Sequence, residues 1–300
     1  MKRRCDSQML RPVFLDLCAV VLACGIAIPA HAQDRTQPFA TYHSASEAIL
    51  NDPHDLDFGP DGKLYVADKF GARIAIFDPE TLEFEGAFGE GLLPNVHDIS
   101  FGPDGIAYVA TTGLNAVALF SFGPDGATSI GILAPFPRTE GALAHSNGRL
   151  YVMASGIGEL VAVEDEFVVA SAGGMPGAHD VEEAPDGTIW VADNFNRRLV
   201  RFSEDLELLQ VLDGSQYGFV GPRYLAVDDF GHLVVVDQDA HRALLIDPAA
   251  DRVLGIIGSG APGLGQYLFD DPEGVAVREG SFYFSDSDNN RIVKYIVVLN

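Results

Sequence analysis

Along most of the chain, short apolar runs alternate with polar turns, and one phrase of that alternation recurs. It reads His54-Asp-Leu-Asp-Phe-Gly-Pro-Asp-Gly-Lys-Leu-Tyr-Val-Ala-Asp68 and closes with Arg73-Ile-Ala-Ile-Phe77. Aligned on the glycine of its turn, the phrase returns at Gly62, Gly105, Gly148, Gly187, Gly231 and Gly280. Six copies of one supersecondary unit follow. In each copy an apolar stretch such as Tyr224 to Val227 leads into the turn and a run such as Ile189-Trp-Val-Ala192 leaves it. A third run such as Leu199 to Phe202 follows a polar turn. Fourth runs stand at Phe84 to Phe88, Ser129 to Leu133, Phe167 to Ala170, Leu206 to Leu212 and Val253 to Ile257. Four antiparallel strands per unit are the blade of a β-propeller. The sixth copy lacks an outer strand, and Phe39 to Ser44 has no blade of its own. The fold expected is therefore all-β, a six-bladed β-propeller of four-stranded blades with its ring closed by an N-terminal strand.

Positions shared by the copies read as architecture. Three residues after the turn glycine stand Tyr65, Tyr108, Tyr151, Trp190, Val234 and Tyr283, which suit packing between neighbouring blades. The pairs Asp68 and Arg73, Asp193 and Arg198, Asp237 and Arg242, and Asp286 and Arg291 recur at one spacing, and both members are lost together in copies two and three. Joint presence predicts a side-chain pair stapling the turn between the second and third strands. That pair absorbs Asp286-Ser-Asp-Asn-Asn290, which starts like a calcium loop but lacks the Gly and distal Glu of one. Gly258-Ser-Gly-Ala-Pro-Gly263 matches G-x-G-x-x-G, yet Pro262 and the absence of a following helix remove the phosphate cradle. His43, His145, His232 and His241 read as solvated residues of turns and strand edges.

One position varies with chemical purpose. Eight residues before the turn glycine, or seven in the shorter sixth copy, stand His54, His97, Glu140, His179, Arg223 and Glu273. This residue opens the innermost strand, so six ionisable side chains should converge on the central channel. Three imidazoles beside carboxylates suit a divalent metal, zinc foremost, with His54, His97 and His179 as its ligands. Glu140 and Glu273 are then placed to move protons, and Arg223 to hold a substrate carboxylate or developing negative charge. The acids that follow the histidines, Asp55, Asp98 and Asp180, suit supporting roles, and Asp180 joins the candidate catalytic set. Alternatively, these aspartates cap the approach to each inner strand.

Composition narrows the partners. The net charge is −24 and the sequence pI near 4.4, so the basic footprint that nucleic acid or anionic lipid requires is missing. Lys2, Arg3 and Arg4, an apolar run from Val13 to Ile28 interrupted by Asp16, and Ala30-His31-Ala32 compose a secretory signal over residues 1–32. The run is too short for a membrane span, and lipid attachment at Cys24 ranks below plain cleavage. Cys5, Cys18 and Cys24 all lie in that signal, so residues 33–300, a single propeller domain, contain no thiol. A secreted or periplasmic monomer is expected.

The pattern seen most fully in Asp180 to Val200 and Glu273 to Val293 resembles the NHL repeat, over about residues 52–300. Within that group His54-Asp55, His97-Asp98 and His179-Asp180 resemble the channel histidines of peptidyl-α-hydroxyglycine α-amidating lyase. The resemblance implies zinc at the channel and cleavage of an N–C bond into an amide and glyoxylate. Three functions stay open: a metal-dependent lyase or hydrolase acting on a small molecule or peptide end at the channel mouth, a non-catalytic periplasmic binding propeller, and a lactonase-like hydrolase. An enzyme should also cover its site with loops such as Ser215 to Pro222 and Ser259 to Asp271.

Overall fold

A computed structural model of the chain describes residues 38–297. The signal assigned to residues 1–32, with Cys24, lies outside the described residues. Six four-stranded antiparallel sheets stand in a ring. Blade 1 runs Pro53–Phe58, Leu64–Asp68, Arg73–Phe77 and Phe84–Phe88, and the next four blades repeat that order from inside to outside. In blade 6 the inner three strands are Pro272–Arg278, Ser281–Asp286 and Arg291–Ile296, and the outer one is Thr41–Ala45 from the other end of the chain. Thr41 pairs with Ile296 and Ala45 with Val293. The N-terminal closure expected from the sequence is thus present. Among the described residues no helix is long and apolar enough to cross a membrane.

The turn glycines Gly62, Gly105, Gly148, Gly187, Gly231 and Gly280 all have positive φ, a backbone state that costs glycine nothing and other residues a steric clash. They fix where each inner strand ends. The core lies between blades, in six clusters. Tyr65 packs with Phe88 of its own blade and Phe120 of blade 2, Tyr151 with Ile189 of blade 4, and Trp190 with Leu225 of blade 5. The Tyr151 hydroxyl donates to Glu204 O at 2.7 Å and that of Tyr283 to Pro79 O at 3.1 Å, each across a blade boundary. Burying such a ring contributes about 1.5–3 kcal/mol, so these residues tie neighbouring blades together.

The Asp–Arg staple is present in the four blades that carry it, at 2.8 Å for Asp68–Arg73, 2.6 Å for Asp193–Arg198, 2.8 Å for Asp237–Arg242 and 2.7 Å for Asp286–Arg291. The aspartate also receives backbone N–H groups from the segment that leads into the inner strand: Asn51 on Asp68, Val220 and Gly221 on Asp237, and Asp270 on Asp286. In blades 1, 5 and 6 one buried carboxylate thereby anchors the approach to the channel. The Asp286 turn closes on itself, with Asn289 donating to both Asp286 oxygens.

Candidate functional site

The channel residue sits where the inner strand falls out of register. Pairing with the second strand shifts between Pro53 and Leu56, Val96 and Asp98, Thr139 and Gly141, Pro222 and Tyr224, and Pro272 and Val275. Neighbours in a regular strand point to opposite faces, and a bulge breaks that alternation and re-aims a side chain. In blade 4 the ladder begins only at Val181, and His179 precedes it with its N–H on Ala192 O at 3.1 Å. Two residues upstream the backbone is left-handed at Asp52, Asn95, Arg138, Gly177 and Asp271. The turn brings a carbonyl onto the ring: His97 Nδ1 lies 2.9 Å from Asn95 O and His179 Nδ1 2.8 Å from Gly177 O. A carbonyl only accepts, so each Nδ1 carries the proton and each Nε2 keeps a lone pair. Gly177 takes this position with φ 73°, and a Cβ there would stand 2.3 Å from the exposed Phe195 ring, which would have to shift.

Taken in blade order, each ring residue and its successor are His54-Asp55, His97-Asp98 and Glu140-Gly141, then His179-Asp180, Arg223-Tyr224 and Glu273-Gly274. The second half repeats the first except in blade 5. Each glutamate serves both of its neighbours. Glu140 Oε2 is 3.1 Å from His97 Nε2 and 3.9 Å from His179 Nε2. Glu273 is 3.1 Å from Arg223 Nε and 3.7 Å from His54 Nε2. The glycine after each glutamate admits the next blade, since a Cβ would stand 2.6 Å from His179 O at Gly141 and 2.4 Å from His54 O at Gly274. Farther out, Arg138 meets Glu140 at 2.7 Å, Lys69 meets Asp52 at 2.8 Å, and Gln238 bridges Arg223 and Glu273.

Burial governs the charge states. It lowers the pKa of His54, His97 and His179, leaving the imidazoles neutral at neutral pH, and it raises Glu273 to about 8 despite Arg223. Five buried atoms, His54 Nε2, His179 Nε2, Glu140 Oε2, Glu273 Oε2 and Arg223 Nε, make no hydrogen bond although charged neighbours are near. Buried polar atoms are nearly always satisfied, so a cluster of exceptions marks a place for a ligand. The donor chemistry, lone pairs on fixed imidazoles beside carboxylates, suits a borderline divalent ion. As placed, no three His, Asp or Glu side chains among the described residues enclose one ion position.

Tyr224 forms the floor of this chamber. It reaches across from blade 5 to blade 2, where its hydroxyl donates to His97 O at 3.1 Å, and His54 Nδ1 lies 3.4 Å from the Tyr224 hydroxyl oxygen. Burial, with the carboxylates Glu273, Asp55, Glu140 and Asp98 around it, raises its pKa. Beyond it the channel turns acidic. Burial raises Asp57 to about 6 and Asp180 to about 7, and burial with neighbouring carboxylates also raises Asp55, Asp98 and Glu182 above the ordinary carboxylate range.

All six expected ring residues meet around the channel. Asp180 takes a different place: its Oδ1 accepts from Val181 N and its Oδ2 from Leu225 N, both at 2.7 Å, so it ties blade 4 to blade 5. Sequence reasoning missed Tyr224, Gln238, Arg138, Asp52 and Lys69. The signal for Tyr224 was present, since Arg223-Tyr224 is the one break in the twofold order. His145 is a correction. It is buried rather than solvated, with Nε2 3.0 Å from Gly187 O and Nδ1 receiving Asn147 N, because the blade 3 and blade 4 turns pack over it. The two loops expected as covers are packed on their own blades. Tyr217 stacks on Phe219 within the core between blades 4 and 5, and Gln266 O takes the Tyr295 hydroxyl.

The fold and site together define a six-bladed propeller with a polar ring at its channel. No family model and no curated protein matches the chain. Solved structures do. A catalytically inactive histidine-to-alanine variant of virginiamycin B lyase from Staphylococcus aureus, determined with quinupristin, is 12% identical with a TM-score of 0.61, over 86% of this chain and 98% of that one. An auxiliary nutrient binding protein from Bacteroides thetaiotaomicron is 16% identical with a TM-score of 0.67, over 87% of this chain and 75% of that one. At these identities the fold is what is shared.

Proposed function

We propose that the ring is the seat of a metal-assisted lyase reaction on a small polar molecule or peptide end that enters at the channel mouth. The carrying observation is that buried polar atoms making no hydrogen bond, on His54, His179, Glu140, Glu273 and Arg223, converge on the channel. His54, His97 and His179 would hold the ion, zinc by donor type, through Nε2. When bound, such an ion polarises a substrate oxygen and stabilises negative charge there. Glu140, held by Arg138 and adjacent to His97, is the proton acceptor on geometry. Arg223 is the cation of the ring with part of its side chain in solvent, and it binds a substrate carboxylate. Tyr224 closes the chamber from below and excludes water from that side.

The mouth suits an amphipathic substrate. Turns between second and third strands lie on the same face as the ring, as Phe70 N on Asn51 O shows. Phe70, Leu92, Leu114, Ile157, Phe195 and Leu264 are exposed there, an apolar rim around a polar centre. That a virginiamycin B lyase shares the fold supports a lyase on this scaffold. The test is mass spectrometry of zinc-loaded protein with C-terminal α-hydroxyglycine peptides and cyclic peptide lactones. Cleavage that is lost in Glu140→Gln and Arg223→Ala is expected. Binding of these probes without cleavage contradicts the reading and favours a binding propeller, which the mutual pairing of Arg138 with Glu140 and Arg223 with Glu273 also suits. Cleavage of lactones that survives loss of the histidines favours lactonase-like chemistry.

A further inference from the structure

The channel has a second chamber whose chemistry is opposite to that of the ring. All inner strands run the same way, so the residue three positions on lies about 10 Å farther along the axis at about 3.3 Å per residue. There Asp57 follows His54, Ser100 follows His97 and Glu182 follows His179. A cavity of ≈ 200 Å³ opens at this end, and Asp55, Asp57, Asp98, Glu182 and Glu183 line it with no Lys, Arg or His among its walls. Tyr224, whose hydroxyl meets His97 O and His54 Nδ1 at the histidine ring, is not among the cavity's walls.

We propose that this cavity binds a small organic cation carrying primary ammonium groups. With its carboxyl groups ionised, as a bound cation would hold them, acceptors outnumber donors in its walls. Asp55 Oδ2 receives Ile99 N at 3.2 Å, and Asp57 Oδ1 receives Phe58 N at 2.6 Å. The Ser100 hydroxyl is engaged with Ala142 O at 2.6 Å and so donates nothing inward. Asp98 is 3% exposed, and its Oδ1 has no hydrogen-bond partner. A buried carboxylate oxygen in that state is costly unless a charged donor reaches it.

The spread of the acids selects the kind of cation. Asp55 and Asp57 come from blade 1, Asp98 from blade 2 and Glu182 and Glu183 from blade 4, so the carboxylates are distributed over the wall. A ligand with N–H donors at separate places meets that arrangement. With liquid water occupying about 30 Å³ per molecule, the space suits roughly half a dozen heavy atoms, the size of a short diamine. The acidity of the whole chain, −24 in net charge, draws cations toward it.

The test is isothermal titration of the full chain, chelator-treated, with putrescine, beside calcium chloride and butanol as controls. One-to-one putrescine binding is expected, weakened about tenfold or more in Asp57→Asn/Glu182→Gln and abolished in Glu182→Lys, whose own ammonium replaces the ligand's. Thermal melts confirm that both variants fold. His54→Ala leaves putrescine binding intact, so this site and the lyase reading fail separately. No putrescine binding by the native chain, equal binding by the folded variants, or calcium binding that displaces putrescine overturns the proposal.

Discussion

Tyr224 and Gly177 show how single residues set the chamber. Tyr224→Phe keeps the ring but leaves His97 O without its donor, so urea denaturation should report a loss of about 1–2 kcal/mol. An unchanged midpoint would mean that the hydroxyl does not span the channel. Gly177→Ala forces a Cβ into Phe195 at a left-handed position, with an expected loss of about 1–3 kcal/mol and a lower melting temperature. A melt equal to that of the native chain would mean that the position does not need glycine. At this scale the ring was legible and its floor was not. His54, His97 and His179 stood out because one repeat position carried them, whereas the aim of Tyr224 depends on a bulge between Pro222 and Tyr224 that no residue type announces. The left-handed residues were readable in part, since Asp52, Asn95, Gly177 and Asp271 are types that tolerate positive φ, but Arg138 is not.

Between residues and the ring stand the staples and the closing strand. Asp237 is fully buried and holds Arg242 and two backbone N–H groups. Asp237→Ala should lower stability by about 2–4 kcal/mol in chemical denaturation. A loss under about 0.5 kcal/mol, the size of a surface change, would contradict its anchoring role. Co-occurrence of Asp and Arg made the pair visible in the sequence. Its second task, gripping the segment before the inner strand, was hidden because backbone N–H groups leave no mark on composition. Removal of residues through Ala45 uncovers the Arg291–Ile296 edge, and a shift toward aggregated species in size-exclusion chromatography is expected. A stable monomer after that truncation would contradict closure by this strand. The spare segment Phe39 to Ser44 announced that strand to within two residues, because an edge that lacks a partner and a strand that lacks a blade are both counted from the repeat.

For the molecule as a whole, the channel makes stability depend on pH. Asp57 at about 6, Asp180 at about 7 and Glu273 at about 8 hold protons when folded that the unfolded chain releases near its ordinary carboxylate range. Folded protein then binds more protons than unfolded, and stability falls as pH rises through those values. The buried histidines act oppositely: their lowered pKa values cost stability only as pH falls below about 6.5. Chelator-treated protein should therefore melt at a lower temperature at pH 8.5 than at pH 6.5. A melt that rises over this interval would contradict the assigned burial. The six blades were legible because repetition averages over local ambiguity, while the contact of Tyr224 with His97 was not, since it crosses between blades and joins residues 127 apart in the chain. Elemental analysis of purified protein spanning residues 33–300 tests the proposed metal at the ring. Stoichiometric zinc or a similar divalent ion is expected in the native chain and none in the His54→Ala, His97→Ala, His179→Ala variant. A native chain that stays metal-free after reconstitution would contradict it.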